Sequence, residues 1–246
     1  MIVFDNVSKS YAGHGHALSG ISVEIKDGEF VFLIGPSGAG KTTFLRLLIR
    51  DIIPTSGKVI VDDWNLSSLP HSQVHLLRRK VGTVFQDFKL LIDRTIFENV
   101  ALALEILGKD KRDIHKGVTE ALSLVGLSEK AEYFPIQLSA GELQRVAIAR
   151  AIVGGPTILL ADEPTGNLDP ETAWGILDLL AEVHKLGTTI IMATHNAGIV
   201  NDLKKRTITL EKGTIIRDEE KGTYHVTHKQ THKEEVKHTK KHHEHS

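Results

Sequence analysis

A five-residue apolar run, Phe30–Ile34, passes without a break into Gly35-Pro36-Ser37-Gly38-Ala39-Gly40-Lys41-Thr42-Thr43 and then into a helix-forming stretch, 44–49. Strand, glycine-rich loop and helix in that order match the pattern G-x-x-x-x-G-K-[ST] in the setting it requires. Glycines let successive backbone N–H groups turn toward one anion, and the positive end of the helix dipole adds to the attraction. Residues 35–43 are therefore the expected phosphate-binding loop, with Lys41 reaching the β- and γ-phosphates of ATP and the Thr42 hydroxyl on Mg²⁺. An ordinary glycine-rich turn would need neither the lysine nor the strand and helix around it.

A second apolar run, 158–161, ends in Asp162-Glu163-Pro164. Carboxylates at the carboxyl end of a parallel strand sit where ligands bind in α/β sheets, so Asp162 is the expected magnesium-shell residue. Glu163 points elsewhere and is placed to polarise an attacking water. Alone, this tetrapeptide would read as a solvated acidic turn; the upstream loop changes that reading. Further β-rich runs at 22–25, 58–61, 81–85, 189–192 and 207–210 alternate in part with helical segments, which predicts a mainly parallel sheet. The first residues, 1–5, read as a strand rather than a secretory signal. Between 95 and 153 the strand signal stops and apolar residues recur at helical spacing, which predicts a helical lobe inserted into the α/β core.

Three more segments resemble the ATP-binding-cassette (ABC) ATPases. Gln86 follows the run 81–85, Leu138-Ser139-Ala140-Gly141-Glu142 precedes a helical run, and His195 follows the run 189–192. They look like that family's Q-loop, signature motif and H-loop, in the family's order, and Asn167-Leu168-Asp169 resembles its D-loop. The resemblance spans about residues 1–217. It implies a RecA-like P-loop NTPase core, with a mainly parallel sheet, N-terminal antiparallel β strands and an inserted α-helical subdomain at about 95–153. It also implies Mg-dependent ATP hydrolysis, with Glu163, His195 and Gln86 catalytic and Thr42, Gln86 and Asp162 around the metal. Tyr11 would stack on adenine. Ser139, Ala140, Gly141 and Glu142 would meet the γ-phosphate held by a second chain, with Asp169 alongside, so the complete site needs an isologous homodimer.

Taken singly, Gln86 and His195 would be ordinary surface or structural residues, and Ser139 a simple helix N-cap. The signature departs from the family's usual form at Ala140 and Leu143, and a methyl at Ala140 would crowd the phosphate if that residue needed φ > 0. Asn196 stands where an acid commonly follows the H-loop histidine.

Within the family, Val84-Phe85-Gln86-Asp87-Phe88-Lys89-Leu90-Leu91, Asp93-Arg94-Thr95 and Glu98-Asn99-Val100 look most like the cell-division branch. That branch implies an FtsX-like integral membrane partner entering a groove beside Phe88, Leu90 and Leu91, and a place on the cytoplasmic face of the membrane. An export or lipoprotein-release motor, which shares Gly166-Asn167-Leu168-Asp169, and a recruitment module with little turnover are the alternatives.

The 246 residues carry a net charge of −1, which argues against a surface built for nucleic acid. There is no cysteine, hence no disulfide framework and no thiol nucleophile, and a reducing compartment is expected. No apolar run nears the roughly 20 residues of a membrane-crossing helix. The expected ATPase unit is 1–218. Residues 219–246 read as a disordered tail with His225, His228, His232, His238, His242, His243 and His245. Its chemistry allows weak metal capture or contact with anionic lipid, the latter aided by histidine protonation below pH ~6.5.

Overall fold

The computed structural model describes residues 1–11, 15–222 and 224. The chain opens with two long antiparallel strands, β1 (Ile2–Tyr11) and β2 (Gly15–Ile25), followed by β3 (Phe30–Ile34) and α1 (Lys41–Leu48). Next come β4 (Ser56–Val61), a two-residue β5 (Trp64–Asn65), α2 (Val74–Lys80) and β6 (Val81–Val84). Three helices then follow without an intervening strand: α3 (Ile96–Ile106), α4 (Lys111–Leu124) and α5 (Ala140–Ile152). The chain returns through β7 (Ile158–Asp162), α6 (Pro170–Lys185), β8 (Thr189–Thr194) and α7 (Ala197–Leu203), and ends in the hairpin β9 (Arg206–Glu211) and β10 (Thr214–Glu219).

The strands form two sheets. One is antiparallel, in the order β2-β1-β4-β5; the other runs β10-β9-β3-β8-β7-β6, with every pair parallel except β9–β10. Helices on a parallel sheet bury both of its faces, and its strands divide their side chains accordingly. On β3, Val31 and Leu33 join the core shared with the antiparallel sheet and α1, whereas Phe30, Phe32 and Ile34 join the core built with α3 to α6. β8 repeats the split, Ile191 and Ala193 against Ile190 and Met192. The phosphate-loop helix is fixed to the antiparallel sheet by Phe44, whose ring stacks on Phe4 at 4.1 Å and 14°.

Helix starts follow the residues that can cap them. Thr95 and Glu98 satisfy each other's backbone N–H groups at the head of α3, and Asp110 caps α4. Asn196 accepts from Ile199 N–H at 3.3 Å and is the N-cap of α7, which gives that residue a role.

Three details differ from the sequence expectation. β1 and β2 extend to Tyr11 and from Gly15, because bulges between Phe4 and Val7, Val7 and Lys9, and Lys9 and Ser10 break the two-residue alternation that would have marked them. β10 carries a mostly exposed, polar sequence and gave no strand signal. The expected boundary between residues 218 and 219 falls inside β10, and the chain is tied back as far as Tyr224, whose N–H donates to Asn201 Oδ1 at 2.7 Å. The histidines of the expected tail lie outside the described residues. No helix among the described residues is long and apolar enough to cross a membrane.

Candidate active site

The phosphate loop connects the buried β3 to α1 and is shaped by glycines that cannot carry a side chain. At Gly35 (φ 149°) an added Cβ would sit 2.2 Å from the Leu210 carbonyl oxygen; at Gly40 (φ 108°) it would sit 2.6 Å from the Ala17 oxygen and 2.7 Å from the Leu18 side chain. The Leu210 and Ala17 oxygens belong to the backbones of β9 and β2. Ala39 N–H donates to Pro36 at 3.1 Å, closing the turn, and Gly213 N–H donates to Ala39 at 3.1 Å, pinning the loop to the β9–β10 turn.

Lys41, the first residue of α1, is 7% exposed, and its ammonium donates to the carbonyl oxygens of Gly35 at 2.9 Å and Pro36 at 3.3 Å. It also lies 3.7 Å from Glu163 Oε1. Thr42, next in line, hydrogen-bonds the Asp162 carboxyl. Burial pushes that carboxyl above the ordinary aspartate range; the Thr42 hydrogen bond opposes the shift, the charge of Glu163 adds to it and that of Lys41 opposes it.

Glu163 turns away from Asp162 because its own backbone is left-handed, φ 49°, a conformation that costs a non-glycine residue about 1 kcal/mol. Its N–H donates to Ala193 of β8 at 2.9 Å, which holds the turn. The carboxylate thus lies between Lys41 and His195, with Oε2 2.8 Å from His195 Nδ1. Gln86 reaches the same place. A Cβ built on Gly166 would lie 3.6 Å from Glu163 Oε2 and 3.7 Å from the Gln86 amide nitrogen. Lys41, Thr42, Asp162, Glu163, His195 and Gln86, drawn from four segments of the chain, thus converge at the carboxyl ends of β3, β6, β7 and β8. Thr42, Asp162 and the Gln86 amide offer oxygen donors with one half-buried carboxyl among them, a set that fits Mg²⁺.

Tyr11 ends β1 opposite Gly15, with the Lys9 ammonium 5.2 Å from its ring centroid. It belongs to the hairpin whose Ala17 and Leu18 lean on Gly40.

The signature residues lie apart from this cluster, on the helical block. Ser139 is the N-cap of α5, and its N–H and hydroxyl both donate to Glu142 Oε2, at 3.0 and 3.2 Å. The Lys130 ammonium, with the Ser139 N–H next in effect, holds the Glu142 carboxyl below its usual range. Ala140 is the first residue of α5 and has no positive φ, so the crowding expected of its methyl from backbone strain does not arise. Gly141 is the tight position: a Cβ there would meet Thr172 Cγ2 at 2.3 Å. Thr172 N–H in turn donates to Asp169 Oδ1 at 2.9 Å, making Asp169 the N-cap of α6, and the Thr172 side chain, with that N–H next in effect, holds the Asp169 carboxyl below its usual range. The heads of α5 and α6, and with them Ser139 and Asp169, are thereby in direct contact.

Two residues to which the motif reading gave no role hold the segment after Gln86. Asn99, fully buried on α3, donates to the carbonyls of Leu91, Arg94 and Thr95 and accepts from Leu91 N–H. Arg150, in the last turn of α5, donates to Phe88 and Lys89. A buried asparagine inside an apolar helical run was the available signal for the first; nothing in sequence marked the second. A separate cavity of about 760 Å³, lined by Asp27, Glu120, Leu124, Val153, Leu186 and Thr189 among others, opens at the amino ends of β7 and β8 and includes none of the phosphate-loop residues.

The sequence model of the ABC transporter family matches residues 18–166. The chain is 51% identical over 224 residues to the cell division ATP-binding protein FtsE of Bacillus subtilis, covering 91% of this chain and 98% of that protein. To FtsE of Mycobacterium tuberculosis it is 52% identical over 225 residues, again with 91% and 98% covered. Among solved structures, a dimeric ATP-binding cassette in a post-hydrolysis state bound to ADP and Pi superposes with a TM-score of 0.82 at 35% identity, over 91% of this chain and 100% of that one. A phosphate loop, a capped signature helix, an acidic pair at the end of β7 and a histidine after β8, in this order and on this fold, make the chain a member of the ABC transporter family.

Proposed function

We propose that this chain is the ATP-hydrolysing subunit of an FtsE-like complex, in which two copies close on ATP and pull on an integral membrane partner of the FtsX kind. The observation that carries the reading is the Glu163 carboxylate, held between Lys41 and His195 at the mouth of the phosphate loop. In this reading residues 35–43 cradle the triphosphate and Tyr11 covers the adenine. Glu163 accepts the proton of the attacking water, while His195 keeps that carboxylate oriented and Gln86 positions the water. When bound, Mg²⁺ would neutralise charge developing on the transferred phosphate, held by Thr42, Asp162 and Gln86. Ser139 to Glu142 and Asp169 act in trans, on the nucleotide of the other copy.

The relatives' name favours cell division over export, and the chain's lack of a membrane-crossing helix among its described residues is consistent with a peripheral subunit on the cytoplasmic face of a membrane. We take the ATPase unit to run from residue 1 to about 224, with a helical subdomain near 95–153. The groove beside Phe88, Leu90 and Leu91, the last exposed at 41%, would take the partner.

The test is a pull-down of the full chain from native membranes with Mg-ATP, alongside ATP turnover by wild type and by Glu163→Gln. The reading expects a co-purifying membrane protein with few spans and a large external loop. A wild type that turns over no faster than the variant, even with that protein present, would defeat it.

A further inference from the structure

The peptide that follows Gln86 is bent in an unusual way. Phe88 and Lys89, neither of them glycine, are both left-handed, with φ of 56° and 50°. Two consecutive residues in that region are strained, and they persist only where surrounding groups hold them. They also aim successive carbonyl oxygens in similar directions. The Arg150 guanidinium meets both, Nη1 donating to Lys89 at 2.7 Å and Nη2 to Phe88 at 2.8 Å. A planar fork with fixed donor spacing suits such a pair, which an ammonium could not bridge in the same way. The partners of this charge are carbonyl dipoles rather than a carboxylate, and Arg150 is half-buried. That is a poor arrangement for stability alone and a good one for fixing geometry.

Arg150 is at the far end of the helix whose head is Ser139. One rigid element, α5, therefore carries the signature serine at its first turn, touches α6 beside Asp169 through Gly141 and Thr172, and grips the Gln86 loop at its last turn. We propose that Arg150 is a positioning residue: through the Phe88 and Lys89 carbonyls it makes the Gln86 loop and the signature helix a single moving piece, so that Gln86 reaches the water only when Ser139 is seated. The inference rests on the ATPase reading above for its last clause. The mechanical link itself requires no turnover.

The chain contains no cysteine, so a pair of spin labels can be placed without background. Asp87→Cys, beside Gln86 with a side chain 69% exposed, and Lys116→Cys on α4, 75% exposed, report the loop against the helical block. With Arg150 present, the inter-label distance distribution is expected to be narrow and to stay narrow on adding Mg-ATP. Arg150→Gln should broaden it. In the unlabelled chain the same change should lower kcat for ATP about tenfold or more with KM within about twofold, because Arg150 touches neither nucleotide nor water. Arg150→Lys, reaching one carbonyl, should lie between the two in both measurements. A width and kcat for Arg150→Gln equal to wild type would overturn the proposal, as would a kcat loss that Arg150→Lys shares in full while its distances stay narrow. If Arg150→Gln does not fold, an Arg150→Lys protein indistinguishable from wild type in width and kcat overturns it equally. A wild type that hydrolyses no ATP would instead defeat the ATPase reading, and the label distances would still decide whether the link exists.

Discussion

At the scale of single residues, the two neighbouring carboxylates at the end of β7 are held in different ways. Glu163 lies between Lys41 and His195, while Asp162 is half-buried, and its partners only partly offset that desolvation. Changing Glu163 to Gln keeps the shape and removes the proton acceptor, so turnover should fall on the order of 100-fold or more with nucleotide binding retained. Single-turnover ATPase assays and nucleotide titration separate the two effects. Asp162 makes a prediction about pH. A carboxyl whose folded pKa is raised binds more protons when folded than when unfolded, so its stabilising effect is greatest at low pH. That effect is lost as pH rises from the ordinary value of 3.8 through the raised folded value. Above that window the ionised group is a burden on the fold. Asp162→Asn should therefore be more stable than wild type at neutral pH in EDTA, and should gain less from Mg-ATP. Thermal denaturation with and without Mg-ATP checks both halves; a variant that melts below wild type in EDTA would contradict the argument.

At the scale of elements, the contact between α5 and α6 is set by one missing side chain. Gly141→Ala would press its methyl into Thr172 Cγ2, and overpacking of this kind costs about 1–3 kcal/mol. Thr172→Ser removes that same methyl while keeping the backbone N–H that Asp169 accepts from. The double variant should recover most of the loss, a coupling that chemical denaturation of the four proteins would measure. Asn99 offers a second case. With all its side-chain hydrogen bonds made in a buried site, Asn99→Ala should cost about 2–3 kcal/mol and loosen the segment 91–95, visible as faster amide exchange there. These elements also show where sequence was readable. The β3 loop, the acidic pair and the capped start of α5 depend on residues close together in the chain, and their patterns were plain. The Gly141–Thr172 contact, the Arg150 fork and the bulged β1–β2 hairpin depend on residues far apart in the chain or on broken alternation. No local pattern records them. The six residues that converge at the carboxyl ends of the strands were each named by motif, yet that Glu163 sits between Lys41 and His195 follows only from β3, β7 and β8 lying side by side.

At the scale of the whole molecule, the signature serine has two roles to separate. Within one chain Ser139 is an N-cap, and losing a cap costs about 1 kcal/mol, so Ser139→Ala would confound stability with catalysis. Asparagine caps as well as serine but presents a different group to a phosphate, so Ser139→Asn should leave melting near wild type. If Ser139 acts on the nucleotide of the other copy, this variant alone should be inactive, as should Lys41→Ala alone. Mixed together, the two behave differently. A dimer of one Ser139→Asn chain and one Lys41→Ala chain has one site in which an intact Lys41 faces an intact Ser139, and one site in which both are lost. With random pairing of equal amounts and independent sites, the mixture should recover about one quarter of wild-type turnover, as a two-fold isologous arrangement requires. Each chain carries a defect in a different site component, so no recovery is expected if both act in cis. Recovery that grows with total protein concentration places the second half of the catalytic site on another copy. A Ser139→Asn chain that hydrolyses ATP at full rate alone would confine Ser139 to capping its own helix.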